Sequence, residues 1–135
     1  MNREIYEAVN TANDALYHLQ KADEILNSAQ NWGFVDLLGG GLVTTMIKRS
    51  KMSDAKIQIE QAKNAIRQLS RYLIDVRRMP AVELQMNDFL GFADYFFDGI
   101  VADWFTQSRI GDARSQVKEA IMEVQGILDG LEENR

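Results

Sequence analysis

Apolar residues recur along this chain at alternating intervals of three and four, the spacing that gathers side chains on one face of an α-helix. Near the N-terminus Ile5, Ala8, Ala12, Ala15, Leu19, Ala22, Leu26 and Ala29 keep this rhythm. Ala55, Ile59, Ala62, Ile66, Leu69, Leu73 and Val76 repeat it, and so do Ala113, Val117, Ala120, Val124, Ile127 and Leu131. Between them Val82, Met86, Phe89, Ala93, Phe97, Ile100 and Trp104 hold the period with one slip. Amphipathic helices bury their stripes against one another, so the pattern predicts an all-α fold, an antiparallel four-helix bundle in a single domain, residues 1–135. The first stripe is rich in alanine and predicts close approach of a neighbouring helix.

The punctuation sets expected boundaries. Pro80, after Arg77-Arg78-Met79, should follow the end of the second helix and open the third. Asp54 after Ser53, and Asp112 after Gly111, stand where the N-caps of the second and fourth helices are expected, each cap worth about 1 kcal/mol. Those breaks are tight. The first connection is expected to be the long one, holding "GFVDLLGGGLVTTMIKRSK", residues 33–51.

That run has a second copy. Shifting the chain by 58 positions lays residues 32–62 over 90–120 without a gap, and 10 of the 31 positions are identical. They include Gly33/Gly91, Phe34/Phe92, Asp36/Asp94, Gly41/Gly99, Asp54/Asp112 and Gln58/Gln116. We read the bundle as two related helical hairpins, about residues 1–77 and 80–134, with approximate two-fold symmetry. Gly41 and Gly99 would be twin points of close backbone approach or kinks. Asp36 and Asp94 lie beside apolar arcs, which predicts incomplete solvation and two ion pairs across the repeat, Asp36 with Arg109 and Asp94 with Lys51.

Charge sharpens this picture more than composition does. The net charge of −5 is unevenly placed: residues 48–78 carry nine basic and three acidic groups, whereas residues 79–107 hold five carboxylates and no lysine or arginine. Segments of opposite sign are expected to face each other, within the chain or across a dimer. There is no cysteine, which excludes disulfides and thiolate metal sites and suits a reducing, cytoplasmic setting. The chain opens directly into a polar periodic pattern, so no secretory leader is expected. The weakly polar run at 34–47 is interrupted by Asp36 and falls short of the roughly 20 apolar residues of a spanning helix.

Several chemistries can be weighed on the residues. A phosphate loop at 34–47 would need Lys and then Ser or Thr after its last glycine, where Leu42-Val43 stand. The second copy also replaces Gly39 and Gly40 by Phe97 and Asp98, so a kinked helix or helical connection is the better reading. A di-iron pattern requires Glu-x-x-His on two helices, and His18 is the only histidine. Asp94 and Asp98, one turn apart, could join Asp36 in an oxygen-only Ca²⁺ or Mg²⁺ site, although solvation of Asp98 or its pairing with the basic second helix is the simpler account. His18 falls between seam positions and reads as an edge or exposed residue. No catalytic residue, cofactor-binding residue or cofactor is expected.

The stripe Lys56, Lys63, Arg67, Arg71 and Arg78 could meet nucleic-acid phosphates, but the acidic total charge and the near absence of interleaved aromatics argue for an internal complement to the acidic third helix. Phe92 and Tyr95 fall outside the core arc of that helix. With Asp98 and Trp32 they are the candidate interaction surface, since aromatics concentrate at the centres of interfaces.

Trp32-Gly33, Asp36, Gly39-Gly40-Gly41, Lys51-x-x-Asp54-Ala55 and "FADYFFDG" at 92–99 together resemble a group of small bacterial helical proteins of unassigned function, mostly Gram-positive. The likeness covers residues 32–108. It implies a bacterial, cytoplasmic origin and transfers no catalytic residue. The expectation is a non-catalytic bundle acting through protein–protein contact, with a homodimer one arrangement its surface allows. A small-molecule or divalent-metal binder using Asp36, Asp94 and Asp98 is the rival. Peripheral membrane attachment through residues 34–47 with Lys48, Arg49 and Lys51 is the third reading.

Overall fold

The computed structural model describes the backbone of residues 3–37, 41–76, 80–95 and 110–133, and side chains at 3, 5–29, 50–51, 53–73, 87–95 and 113–133. Four α-helices account for all of these residues: α1 (Arg3–Leu37), α2 (Gly41–Val76), α3 (Pro80–Tyr95) and α4 (Ile110–Glu133). The fold is all-α, as the periodicity predicts. No helix among the described residues is long and apolar enough to cross a membrane.

The seams are where the core forms. All eight seam residues of α1, from Ile5 to Ala29, are buried, as are Ala55, Ile59, Ala62, Ile66, Leu69 and Leu73 of α2 and all six of α4. Phe89 and Ala93 are the buried seam residues of α3. Alanine's small side chain lets α1 lie close to its neighbours, and α1 packs most extensively on α2 and next on α4. The shorter α3 rests chiefly on α4, with a thinner contact to α2.

Burial on α1 is wider than a two-column seam, because one helix serves two neighbours. Val9 and Leu16 are buried beside the seam, and Asp23 continues their column at the same seven-residue step. Thr11, His18 and Ile25 form a half-buried column on the opposite side. The hydroxyl in that second column is locally satisfied, since Thr11 Oγ1 donates to the Glu7 carbonyl at 2.8 Å.

Three expected boundaries are corrected. Asp54 is not an N-cap: it lies well inside α2, which begins at Gly41, and its side chain is exposed. Gly111 and Asp112 fall within the first turn of α4, which begins at Ile110, so Asp112 does not precede its helix. The first connection is not long either, because α1 reaches Leu37 and α2 resumes at Gly41. Propensity explains where the break falls. A glycine inside a helix costs about 1 kcal/mol against alanine, whereas a serine or aspartate costs about 0.7 kcal/mol at most. Consecutive glycines are therefore a poorer place to continue a helix than Ser53-Asp54, where continuing avoids a second costly nucleation. Pro80, by contrast, is the first residue of α3 as expected.

Candidate functional site

Among the described residues, three polar contacts between helices stand out. The first joins α1 to α2, where His18 Nδ1 and Gln58 Oε1 lie 2.8 Å apart. The other ring nitrogen, Nε2, is 3.5 Å from Asp14 Oδ1, one turn earlier on α1. Tyr17 meets the imidazole edge-on with centroids 5.2 Å apart, and Lys21 Nζ stands 5.9 Å from the centre of the Tyr17 ring. Lys21 is also within 3.7 Å of Glu24.

The second contact ties α1 to α4. Arg114 Nε donates to Asp23 Oδ1 at 3.1 Å, and both side chains are about three-quarters buried, at 27% and 25% exposure. A charge-assisted hydrogen bond in that setting is less screened than an exposed pair such as Arg3–Glu7, at 3.4 Å, and holds one relative position of the two helices. Both residues immediately follow an alanine of their own seam, Ala22 and Ala113. Opposite charges flanking two seams were the available signal for this pair. Charge runs hide it, because neither residue belongs to one.

The third contact is repulsive. On α4, Glu119 and Glu123 are one turn apart, and α3 brings Asp88 close enough to be felt. Burial, then Glu119, then Asp88 raise the Glu123 carboxyl above its ordinary 4.5. For an acid raised in this way the folded chain keeps its proton longer than the unfolded chain does. The folded state is therefore favoured below pH 4.5 and loses that advantage as pH rises through the raised value. Glu123→Gln is expected to stabilise the protein at pH 7 by about 0.2–0.5 kcal/mol, the scale of a like-charge pair one turn apart. The gain should vanish at acid pH. Urea titrations of both proteins at pH 7 and pH 4 check this, and an equal difference at the two pH values would refute it.

Among the described residues, those singled out on the sequence are not brought together into a site. Asp94 is exposed, contrary to the expected partial burial: α3 turns Phe89 and Ala93 inward, which leaves Asp94 outside the buried arc. Lys51 is half-buried, and no ion pair among the described residues joins it to Asp94. A solvated carboxylate needs no such partner. The backbone of Asp36 and Trp32 lies in α1, but their side chains, together with Asp98, Gly99 and Arg109, fall outside the described residues, so the Asp36–Arg109 pairing does too. Phe92 is half-buried against the core, whereas Tyr95 is 61% exposed. Among the described residues no three His, Asp or Glu side chains converge as metal ligands. Lys56, Lys63 and Arg67 of the basic stripe each already hold a partner, which leaves less of that stripe for phosphates.

No family model matches this chain, and no curated protein and no solved structure matches it either.

Proposed function

We propose that the chain is a non-catalytic helical bundle that works through protein–protein contact, and that the outer face of α1 takes a second copy of the chain. The observation that carries this reading is the alignment of Tyr6 and Tyr17. They are eleven residues apart, close to three turns, so they stand in line on the side of α1 away from its seam, about 16 Å apart along the axis. Both are exposed, at 47% and 55%. Tyrosine offers a large, rigid contact area with a polar tip and is enriched at interfaces. Ile57 and Met122 are exposed as well, but single apolar residues on separate helices are ordinary surface.

The finer architecture supporting this reading is an antiparallel bundle of two related hairpins. Residues 9, 16 and 23 on α1 and 128, 121 and 114 on α4 are two flanking columns that run in opposite directions if Asp23 meets Arg114. Val9, Leu16 and Leu128 are buried and Ile121 is packed against the core, as that register requires. His18 and Gln58 likewise lie equally far from position 38, directly after the end of α1. The repeat is supported by burial: Ala55, Ile59, Ala62, Ile66, Leu69 and Leu73 are buried, and so are their counterparts 58 positions on. A cytoplasmic setting rests on the absence of cysteine.

Sedimentation equilibrium on the wild type and a Tyr6→Ser/Tyr17→Ser variant tests the function. The double change is expected to weaken self-association at least about tenfold, which corresponds to 1.4 kcal/mol. Its thermal midpoint should stay near that of the wild type, because exposed positions contribute little to folding. A wild type that remains monomeric, or a variant that associates equally well, would count against the proposal.

A further inference from the structure

The imidazole of His18 faces an oxygen at each ring nitrogen: Gln58 Oε1 at 2.8 Å from Nδ1 and Asp14 Oδ1 at 3.5 Å from Nε2. Only the doubly protonated ring can donate to both. A neutral ring has one N–H, and it must place a lone pair against one of these acceptors. The carboxylate of Asp14 cannot become a donor without taking up a proton. The amide of Gln58 can, because turning it over exchanges Oε1 for its NH₂ group in almost the same space.

We propose that the α1–α2 contact is a proton-dependent hydrogen-bond reversal. With the ring charged, Nδ1–H donates to the Gln58 oxygen and Nε2–H faces Asp14. With the ring neutral, Nε2–H is kept for Asp14, and the Gln58 amide turns to donate to the bare Nδ1. His18 is the only histidine of the chain, and histidine is the side chain whose ordinary titration falls between pH 5 and 8.

The surrounding charges bear on this balance. On α1, Asp14 faces Nε2 with an acceptor, and Lys21 lies over the Tyr17 ring and is offset by Glu24. On α2, Asp54 and Lys51 precede Gln58 by one and two turns on the same side, with opposite signs. The Asp23–Arg114 pair lies on the other flank of α1 and neutralises itself. Asp14 is thus the charge that selects the tautomer.

NMR of the full chain reads both halves of the reversal. Ring ¹⁵N spectra at pH 8 are expected to show Nε2 protonated and Nδ1 bare. The Gln58 side-chain amide should then exchange slowly with water, and at pH 5 it should lose that protection relative to exposed Gln61. Asp14→Asn, at an exposed position, should fold normally and shift the neutral ring towards a mixture of tautomers. Nδ1 protonated at pH 8 would overturn the proposal. So would a Gln58 amide whose protection, relative to Gln61, is the same at both pH values, or an Asp14→Asn protein with an unchanged tautomer.

Discussion

Phe89→Ala is expected to weaken the docking of α3 by about 3–5 kcal/mol, the range for removing a buried aromatic ring. Among the described residues Phe89 heads the fully buried side chains in size, and the other described residues of α3 offer little of comparable bulk: Ala93 is small, and Leu90 and Phe92 are only partly covered. The helix is 16 residues long and rests mainly on α4. A peptide of that length is marginally helical in water without packing. Loss of the ring should therefore release α3 while α1, α2 and α4 stay together. Hydrogen exchange measures this segment by segment. Amides of residues 84–95 should lose protection, while those around Leu19, Ile66 and Val124 keep most of theirs. Equal loss in every helix would show that the four unfold as one unit and would refute the expectation.

Periodicity made the core legible because each seam residue faces another helix, and burial then follows from geometry alone. Every described residue in the four stripes is buried. Val9, Leu16, Ala65 and Leu128 are buried too and lie outside those stripes. A two-column stripe describes a helix with one neighbour, and α1 has two, so the columns flanking its seam are covered as well. Boundaries were less legible for a different reason. Ser53-Asp54 has the chemistry of a cap, but capping chemistry within a strongly periodic run costs a helix only tenths of a kcal/mol.

Polar contacts were the least legible part. The pairing of Asp23 with Arg114 depends on the register between α1 and α4, which no local pattern carries. His18 reads as an edge residue from its place between seam positions, yet its partner lies 40 positions away on α2, a pairing set by the register of the two helices. The repeat drew attention to Asp94 because it matches Asp36. Likeness of sequence does not ensure likeness of surroundings, and the exposure of Asp94 follows from how α3 in particular meets α4.

The alanine seam leads to the other large effect. Leu19→Ala should cost about 2–5 kcal/mol and should fall toward the upper end of that range. Leu19 has no exposed surface, and its immediate neighbours along the α1 seam are Ala15 and Ala22. A cavity costs less when nearby side chains can swing into it, and alanines have no rotamers with which to do so. The void would have to be closed by moving whole helices, which the Asp23–Arg114 and His18–Gln58 contacts on either flank of α1 resist. Urea unfolding at pH 7 gives the measurement, with Ile57→Ala as the matched control. Ile57 is 54% exposed on α2 and should change stability by no more than about 0.5 kcal/mol. The slope of unfolding free energy against urea should be the same for Leu19→Ala and the wild type, since the surface exposed on unfolding barely changes. Comparable losses for Leu19→Ala and Ile57→Ala would mean that the seam is not the centre of the core.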